Sequence, residues 1–193
     1  MKMKKIACLF VAVLFATLFG QAQTDVVVGE GNTTYTDFFP FYFYEPYSYT
    51  QTVYMAEELL PGTITSISYY TEFNSAMSDA PIALYLGEVA RTQFYGGYGS
   101  TDFVPADSLT QVFSGNVTFA TSGWVTITFD TPFVFSGNNN LVVAAVHSRG
   151  VGAGYGYDYK SKMYSTHRSI ISASATSAIG PQVPVDPING DVL

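Results

Sequence analysis

Residues 115–147, GNVTFATSGWVTITFDTPFVFSGNNNLVVAAVH, constrain the fold of this chain more than any other stretch. Segments 116–120, 125–129 and 141–147 are rich in β-branched and aromatic side chains. Thr121-Ser122-Gly123 and Ser136-Gly137-Asn138-Asn139-Asn140 supply turn chemistry between them, so three strands split by two turns are predicted. Val125, Ile127 and Phe129 alternate with Thr126, Thr128 and Asp130, which marks a strand with one apolar and one polar face. Leu141-Val142-Val143-Ala144-Ala145-Val146 is apolar on both faces and reads as the central strand of a sheet. Trp124, which opens the middle strand, reads as a core residue.

The rest of the chain repeats this grammar. Residues 25–29 read as a short first strand. From residue 35 to 54, ten of twenty side chains are aromatic. Period two places Phe39, Phe41 and Phe43 on one face, as core candidates, and Tyr42 and Tyr44 on the other. Residues 48–55, 63–71 and 81–87 read as strands, with the last two expected to pair, and residues 56–60 allow one helical turn before Pro61-Gly62. Residues 109–113 lead into a Ser114-Gly115 turn. Residues 93–100 and 149–156 read as glycine-rich loops, and 157–159 and 168–172 as strands. No long segment has helical periodicity, so the predicted class is all-β: an antiparallel, jelly-roll-like β-sandwich over residues 23–179. Three prolines from Pro181 to Pro187 mark residues 180–193 as a linker or truncated tail.

The N-terminus has the pattern of a secretory signal peptide over residues 1–22: Lys2, Lys4 and Lys5, an apolar run over residues 6–19, then Gly20-Gln21-Ala22. Cys8 lies too early in that run, with Lys5 three residues before it, to be a lipid-anchor cysteine. Removing the leader leaves 171 of 193 residues, with five basic against fifteen acidic side chains, net −10, and no cysteine. Such a chain lacks the electrostatic footprint for nucleic acid or an anionic membrane, and no membrane insertion is expected after cleavage. Disulfides cannot hold it, so stability must come from core burial; a domain of this length buries roughly 70% of its unfolded surface.

A series of short motifs runs in order through residues 45–147. Tyr47-Ser48-Tyr49-Thr50-Gln51 precedes Val53-Tyr54, followed by Gly62-Thr63-Ile64-Thr65-Ser66-Ile67-Ser68-Tyr69-Tyr70 and Ile82-Ala83-Leu84-Tyr85-Leu86-Gly87. Val112-Phe113-Ser114-Gly115-Asn116-Val117, Gly123-Trp124-Val125-Thr126-Ile127 and Pro132-Phe133-Val134-Phe135-Ser136-Gly137 then lead into Asn140-Leu141-Val142-Val143. In this order they resemble a secreted domain found near the N-terminus of many surface proteins of Bacteroidota. The resemblance implies an adhesin-type jelly roll, a surface or adhesive role without known chemistry, and fibronectin-like or immunoglobulin-like modules downstream. It also implies a final strand after the Arg168 region that the sequence does not display, so the chain reads as truncated or short of one strand. Asp107-Ser108-Leu109 fits the Asp-Ser/Thr-aliphatic pattern for O-glycosylation in that group, which makes Ser108 a candidate glycan acceptor.

Catalytic chemistry has little to build on. Only His147 and His167 could serve as a base at neutral pH, and no GxSxG, HExxH or cysteine nucleophile accompanies them. His147, ending an apolar strand, reads as a hydrogen-bonded structural histidine. Gly150, Gly152, Gly154 and Gly156 follow a strand as a dinucleotide loop would, but no helix follows to hold a pyrophosphate. Asp186-Pro187-Ile188-Asn189-Gly190-Asp191 resembles a dockerin or EF-hand calcium loop, yet the register puts Pro187 at the first ligand position. A structural calcium ion suits a sandwich of this kind, with no ligand residues to name, and no other cofactor is expected.

Tyrosines are the functional lead. A tyrosine ring can stack on the apolar face of a sugar while its hydroxyl stays wet, at low conformational cost. Three groups qualify: Tyr42 and Tyr44; Tyr95 and Tyr98 beside flexible glycines; and Tyr155, Tyr157 and Tyr159. The sequence therefore predicts an exported, non-enzymatic binding or adhesion module at the cell surface, in the medium or in the periplasm, with a glycan or a surface protein as partner. The alternative is a structural spacer of a larger surface protein.

Overall fold

The computed structural model describes residues 23–29, 33–35, 39–95, 100–162, 164–182 and 190–192. The leader reading of residues 1–22, Tyr98, and residues 183–189 of the proline-rich stretch lie outside them. Among the described residues the strands are β1 (Thr33–Tyr35), β2 (Tyr47–Tyr54), β3 (Gly62–Phe73), β4 (Met77–Val89), β5 (Thr110–Phe119), β6 (Ser122–Phe135), β7 (Asn140–Ser148), β8 (Tyr157–Ser161), β9 (Ser169–Ser174) and β10 (Gly190–Val192). They form two antiparallel sheets, ordered β1-β8-β3-β6 and β10-β9-β2-β7-β4-β5. From β2 onward the chain changes sheet at every connection except β4 to β5 and β9 to β10. This winding gives the jelly-roll-like sandwich that the sequence predicts.

Between the sheets lies an apolar core. Ile82, Leu84 and Leu86 of β4 and Leu141, Val143 and Ala145 of β7 face Val125, Ile127 and Phe129 of β6, as period-two alternation requires. Phe41 and Phe43 plug one end. They lie outside any strand, but both are fully buried and each meets Phe119 edge-on, at 5.7 and 5.5 Å between ring centres.

The central strand is apolar on both faces because the six-stranded sheet is covered on its outside as well. Residues 90–95 and 100–109, between β4 and β5, lie across that face as a strap. Phe94 and Val104 of the strap pack on Val53, Val142 and Ile170, and Phe103 stacks on Tyr49 at 5.1 Å. Ile179 closes over Ala144 beside them. Gln51, fully buried on β2, pins the strap as a strand would. Its Nε2 donates to the Val104 carbonyl at 2.9 Å, and its Oε1 accepts from the Val104 N–H at 2.7 Å. Arg91 and Asp102 clip the strap's first loop shut with a 2.9 Å ion pair. The outer face of the four-stranded sheet carries no such cover among the described residues.

Several local expectations are corrected. Residues 25–29 form no strand, and Val26 and Val27 are exposed with no sheet partner. β3 and β4 do not pair: β3 lies between β8 and β6, and β4 between β7 and β5. Asn74, Ser75 and Ala76 between them contain no glycine for a tight hairpin, and they arch across the core so that Phe73 and Met77 both point inward. Ser114-Gly115 is not a turn but the middle of β5, where the missing side chain makes room for the Phe113 ring: a Cβ on Gly115 would stand 3.2 Å from it. A strand does follow the Arg168 region, since β10 pairs with β9 and sets Val192 opposite Ile170.

Candidate functional site

The segment 40–46, ahead of β2, carries Tyr42 and Tyr44, and the sheet beneath it fixes its backbone. Ser48 on β2 and His147 on β7 are directly opposite in register. The Ser48 hydroxyl accepts from the Tyr42 N–H at 3.1 Å, and the His147 Nε2–H donates to the Tyr42 carbonyl at 2.7 Å. A carbonyl can only accept, so the histidine is the Nε2–H tautomer, and its buried Nδ1 has no hydrogen-bond partner. Burial pushes the His147 pKa down to about 4, so the ring is neutral at ordinary pH. The Thr50 hydroxyl holds the segment at its start by donating to the Pro40 carbonyl at 2.7 Å.

The loop 149–156 runs along this segment from the other side. Its Gly150 N–H donates to the Pro46 carbonyl at 3.1 Å, and its Ala153 N–H to the Phe43 carbonyl at 2.7 Å. Gly152 sits so close that a Cβ there would overlap the Tyr44 carbonyl oxygen. Gly152 therefore serves the close approach of two backbones, whereas Gly150, Gly154 and Gly156 take a positive φ.

This docking brings together two of the predicted tyrosine groups. Tyr42 and Tyr44 stack at 5.6 Å with 17° between their planes, and Tyr155 leans on Tyr44 at 4.6 Å. A hydrogen bond to Tyr155 raises the pKa of the Tyr44 phenol, and burial, with the Glu45 carboxylate as second cause, pushes Tyr42 up to about 12. Tyr42 and Tyr44 are thus neutral at ordinary pH. Tyr155 is 80% exposed and Tyr44 37%, while Tyr42 lies half-buried beneath as support.

The other predicted positions fall elsewhere. Tyr159 is corrected: it is 1% exposed, packed on Phe73 at 5.2 Å, and offers a ligand no surface. Tyr157 shares its inward face on β8, half-buried against Phe73, with its hydroxyl 3.0 Å from Ser75 Oγ. Both follow from strand alternation, which turns 157 and 159 to the core and 158 and 160 outward. Tyr95 is 65% exposed on the strap loop, where its N–H donates to Asp102 Oδ2 at 2.7 Å. The neighbouring Phe94 N–H is tied to the His167 carbonyl, beside the Tyr54 end of β2, whereas Tyr44 stands at the Tyr47 end. Eight residues of strand, roughly 23 Å, separate the two groups. Ser108 is exposed on a single 3-10 turn, its hydroxyl 3.4 Å from Asp107.

Trp124 is also corrected, and it is the residue that sequence reasoning missed. It is 61% exposed on the outer face of the four-stranded sheet. Its neighbour Val125 already faces the core, so alternation sends Trp124 outward with Thr126 and Thr128. There it meets its cross-strand partner Tyr70 edge-on at 5.5 Å, and Lys160 of β8 lies over the Tyr70 ring at 4.4 Å while pairing with Glu72 at 3.2 Å.

Among the described residues no three His, Cys, Asp or Glu side chains converge to hold a metal ion, so the structure supplies no carboxylate cluster for calcium. No helix among them is long and apolar enough to cross a membrane. Compared with known proteins, the chain matches no family model, no curated protein and no solved structure.

Proposed function

We propose that the protein is an exported, non-enzymatic binding module of the cell surface that takes glycans at the Tyr42–Tyr44–Tyr155 cluster. One observation carries this reading. A protein seldom builds a rigid stack of aromatic rings and then leaves its outermost ring 80% in water. Here two backbones are drawn together by hydrogen bonds and a close glycine contact to achieve that arrangement. A preorganised ring loses little entropy on stacking against a sugar, and the hydroxyls of Tyr44 and Tyr155 remain at hand for the sugar's own hydroxyls. His147 commits its Nε2–H to positioning Tyr42 and is shut off from solvent, which supports a structural rather than a catalytic use. The order of motifs, which resembles that of Bacteroidota surface domains, and the leader-like first 22 residues are what support the address.

A broad glycan array tests this. The folded protein is expected to retain at least one glycan class, and Tyr44→Ala with Tyr155→Ala to release it without lowering the melting temperature materially. A cooperatively folded protein that is silent on the array would overturn the reading and favour the spacer. Retention on glycoproteins that survives enzymatic deglycosylation would instead make the partner a surface protein.

A further inference from the structure

The two faces of the sandwich are treated differently. The strap covers the outside of the six-stranded sheet, while among the described residues nothing covers the outside of the four-stranded sheet, and the single tryptophan of the chain stands on it. The row Trp124, Tyr70, Lys160 crosses β6, β3 and β8. On one side lies the hydroxyl pair Ser68–Thr126, with 2.8 Å between oxygens; on the other lies the Glu72 carboxylate. Tyr70 meets the indole in a T-shaped contact, at 86°, and Trp124 remains 61% exposed, so most of the indole surface is not spent on its neighbour. A cross-strand aromatic pair steadies the sheet, but that use does not call for leaving most of the indole in water.

We infer that this row is a second binding platform, for the flat face of an uncharged pyranose chain. The apolar face of a hexopyranose matches an exposed indole, and the flanking Ser68, Thr126 and Glu72 oxygens suit its rim of hydroxyls. Charge narrows the class. Lys160 is already neutralised by Glu72 and drawn over Tyr70, leaving no free cation in the row, and the chain as a whole is acidic. Uronic, sulfated and sialylated chains are therefore repelled. The platform rests on the binding-module reading but not on the tyrosine cluster, which is a separate site.

Because Trp124 is the only tryptophan, its emission reports on this site alone. Cellohexaose, mannohexaose, laminarihexaose and xylohexaose are titrated in turn, with polygalacturonate as the anionic control. At least one neutral probe is expected to shift or quench the emission saturably, and polygalacturonate to leave it unchanged. In native gels containing the matching neutral polysaccharide, Trp124→Ala is expected to lose retardation and Tyr70→Ala to bind at least roughly tenfold more weakly. Tyr155→Ala is expected to be retarded like the wild type. Three results overturn the inference: emission indifferent to all four sugars, retardation that survives Trp124→Ala, or emission that changes with protein concentration alone, which would mean a second copy covers the face. Glycan-array binding that is lost in Tyr155→Ala while all four sugars leave the emission unchanged would end this platform and spare the tyrosine site.

Discussion

Gln51 is the residue on which the strap depends, and its replacement gives the sharpest test of how the six-stranded sheet is closed. In Gln51→Ala the Val104 N–H and C=O lose both partners at once, and the Tyr49 hydroxyl loses a third contact. A buried backbone group left without a partner costs about 1–3 kcal/mol. The strap can lift to hydrate its two orphans, at the expense of the packing of Phe94 and Val104 on Val53, Val142 and Ile170. The smaller of these two losses sets the cost at about 2–4 kcal/mol, a fall in Tm of roughly 4–16 °C for a domain of this size. Thermal unfolding by circular dichroism measures the fall, and amide exchange over residues 94–104 shows whether the strap opens ahead of the sheet. Gln51→Glu sharpens the case: it keeps an acceptor for the Val104 N–H but places a carboxylate where a donor is needed, so it should fall further at pH 7 and recover part of the loss below pH 5, where a protonated carboxyl can donate. A Gln51→Ala melting temperature within about 2 °C of wild type, with unchanged exchange, would refute the assignment.

Four more predictions follow from single groups. His147 is held neutral when folded, with a pKa of about 4 against 6.5 when unfolded, so the unfolded chain binds the proton first as pH falls; this contribution to stability is complete above pH 6.5 and declines by about 3 kcal/mol down to pH 4. His147→Gln can keep the bond to Tyr42 and should flatten that part of the Tm-versus-pH curve; parallel curves would count against it. The Tyr159 hydroxyl is buried with no hydrogen-bond partner, so Tyr159→Phe should leave Tm unchanged or raise it, and a drop worth more than about 1 kcal/mol would reveal a partner the structure does not show. Gly152→Ala should push loop 149–156 off Tyr44 and abolish binding of the array glycans that Tyr155→Ala releases, with all three rings still present; full binding of those glycans by this variant would mean the Tyr44–Tyr155 contact is not needed. If Ser108 is a glycan acceptor, intact mass of protein from its native host carries added hexose that Ser108→Ala lacks, and equal unmodified masses would remove the idea.

What the sequence revealed was what strand alternation alone decides. The two-faced pattern at residues 125–130 and the doubly apolar run of β7 located a core strand and the central strand, and the phenylalanines at 41 and 43 were separable from the tyrosines at 42 and 44 even though no strand forms there. Trp124 is legible by the same rule, since an inward Val125 turns its neighbour outward; opening a core strand does not decide which face a residue takes. Tyr159 was misread because alternation puts it on one side with Tyr157 but does not say which, and Tyr157 itself stays half-buried. Long-range facts left no local signal: that β3 and β4 part company at residues 74–76, that Gln51 meets Val104 fifty-three residues away, or that loop 149–156 docks on Tyr44. Only folding brings the tyrosines at 42, 44 and 155 into one cluster, because the sequence spaces them over more than a hundred positions.

Ligand contact at the exposed rings is tested most directly by the tyrosine ring resonances of selectively labelled protein, recorded while the glycan retained on the array is added. Tyr44 and Tyr155 are expected to shift with the binding isotherm while the buried Tyr49 and Tyr159 stay still. Saturable binding that leaves the Tyr44 and Tyr155 rings unmoved would contradict their role, and the tyrosine cluster would then be part of the scaffold.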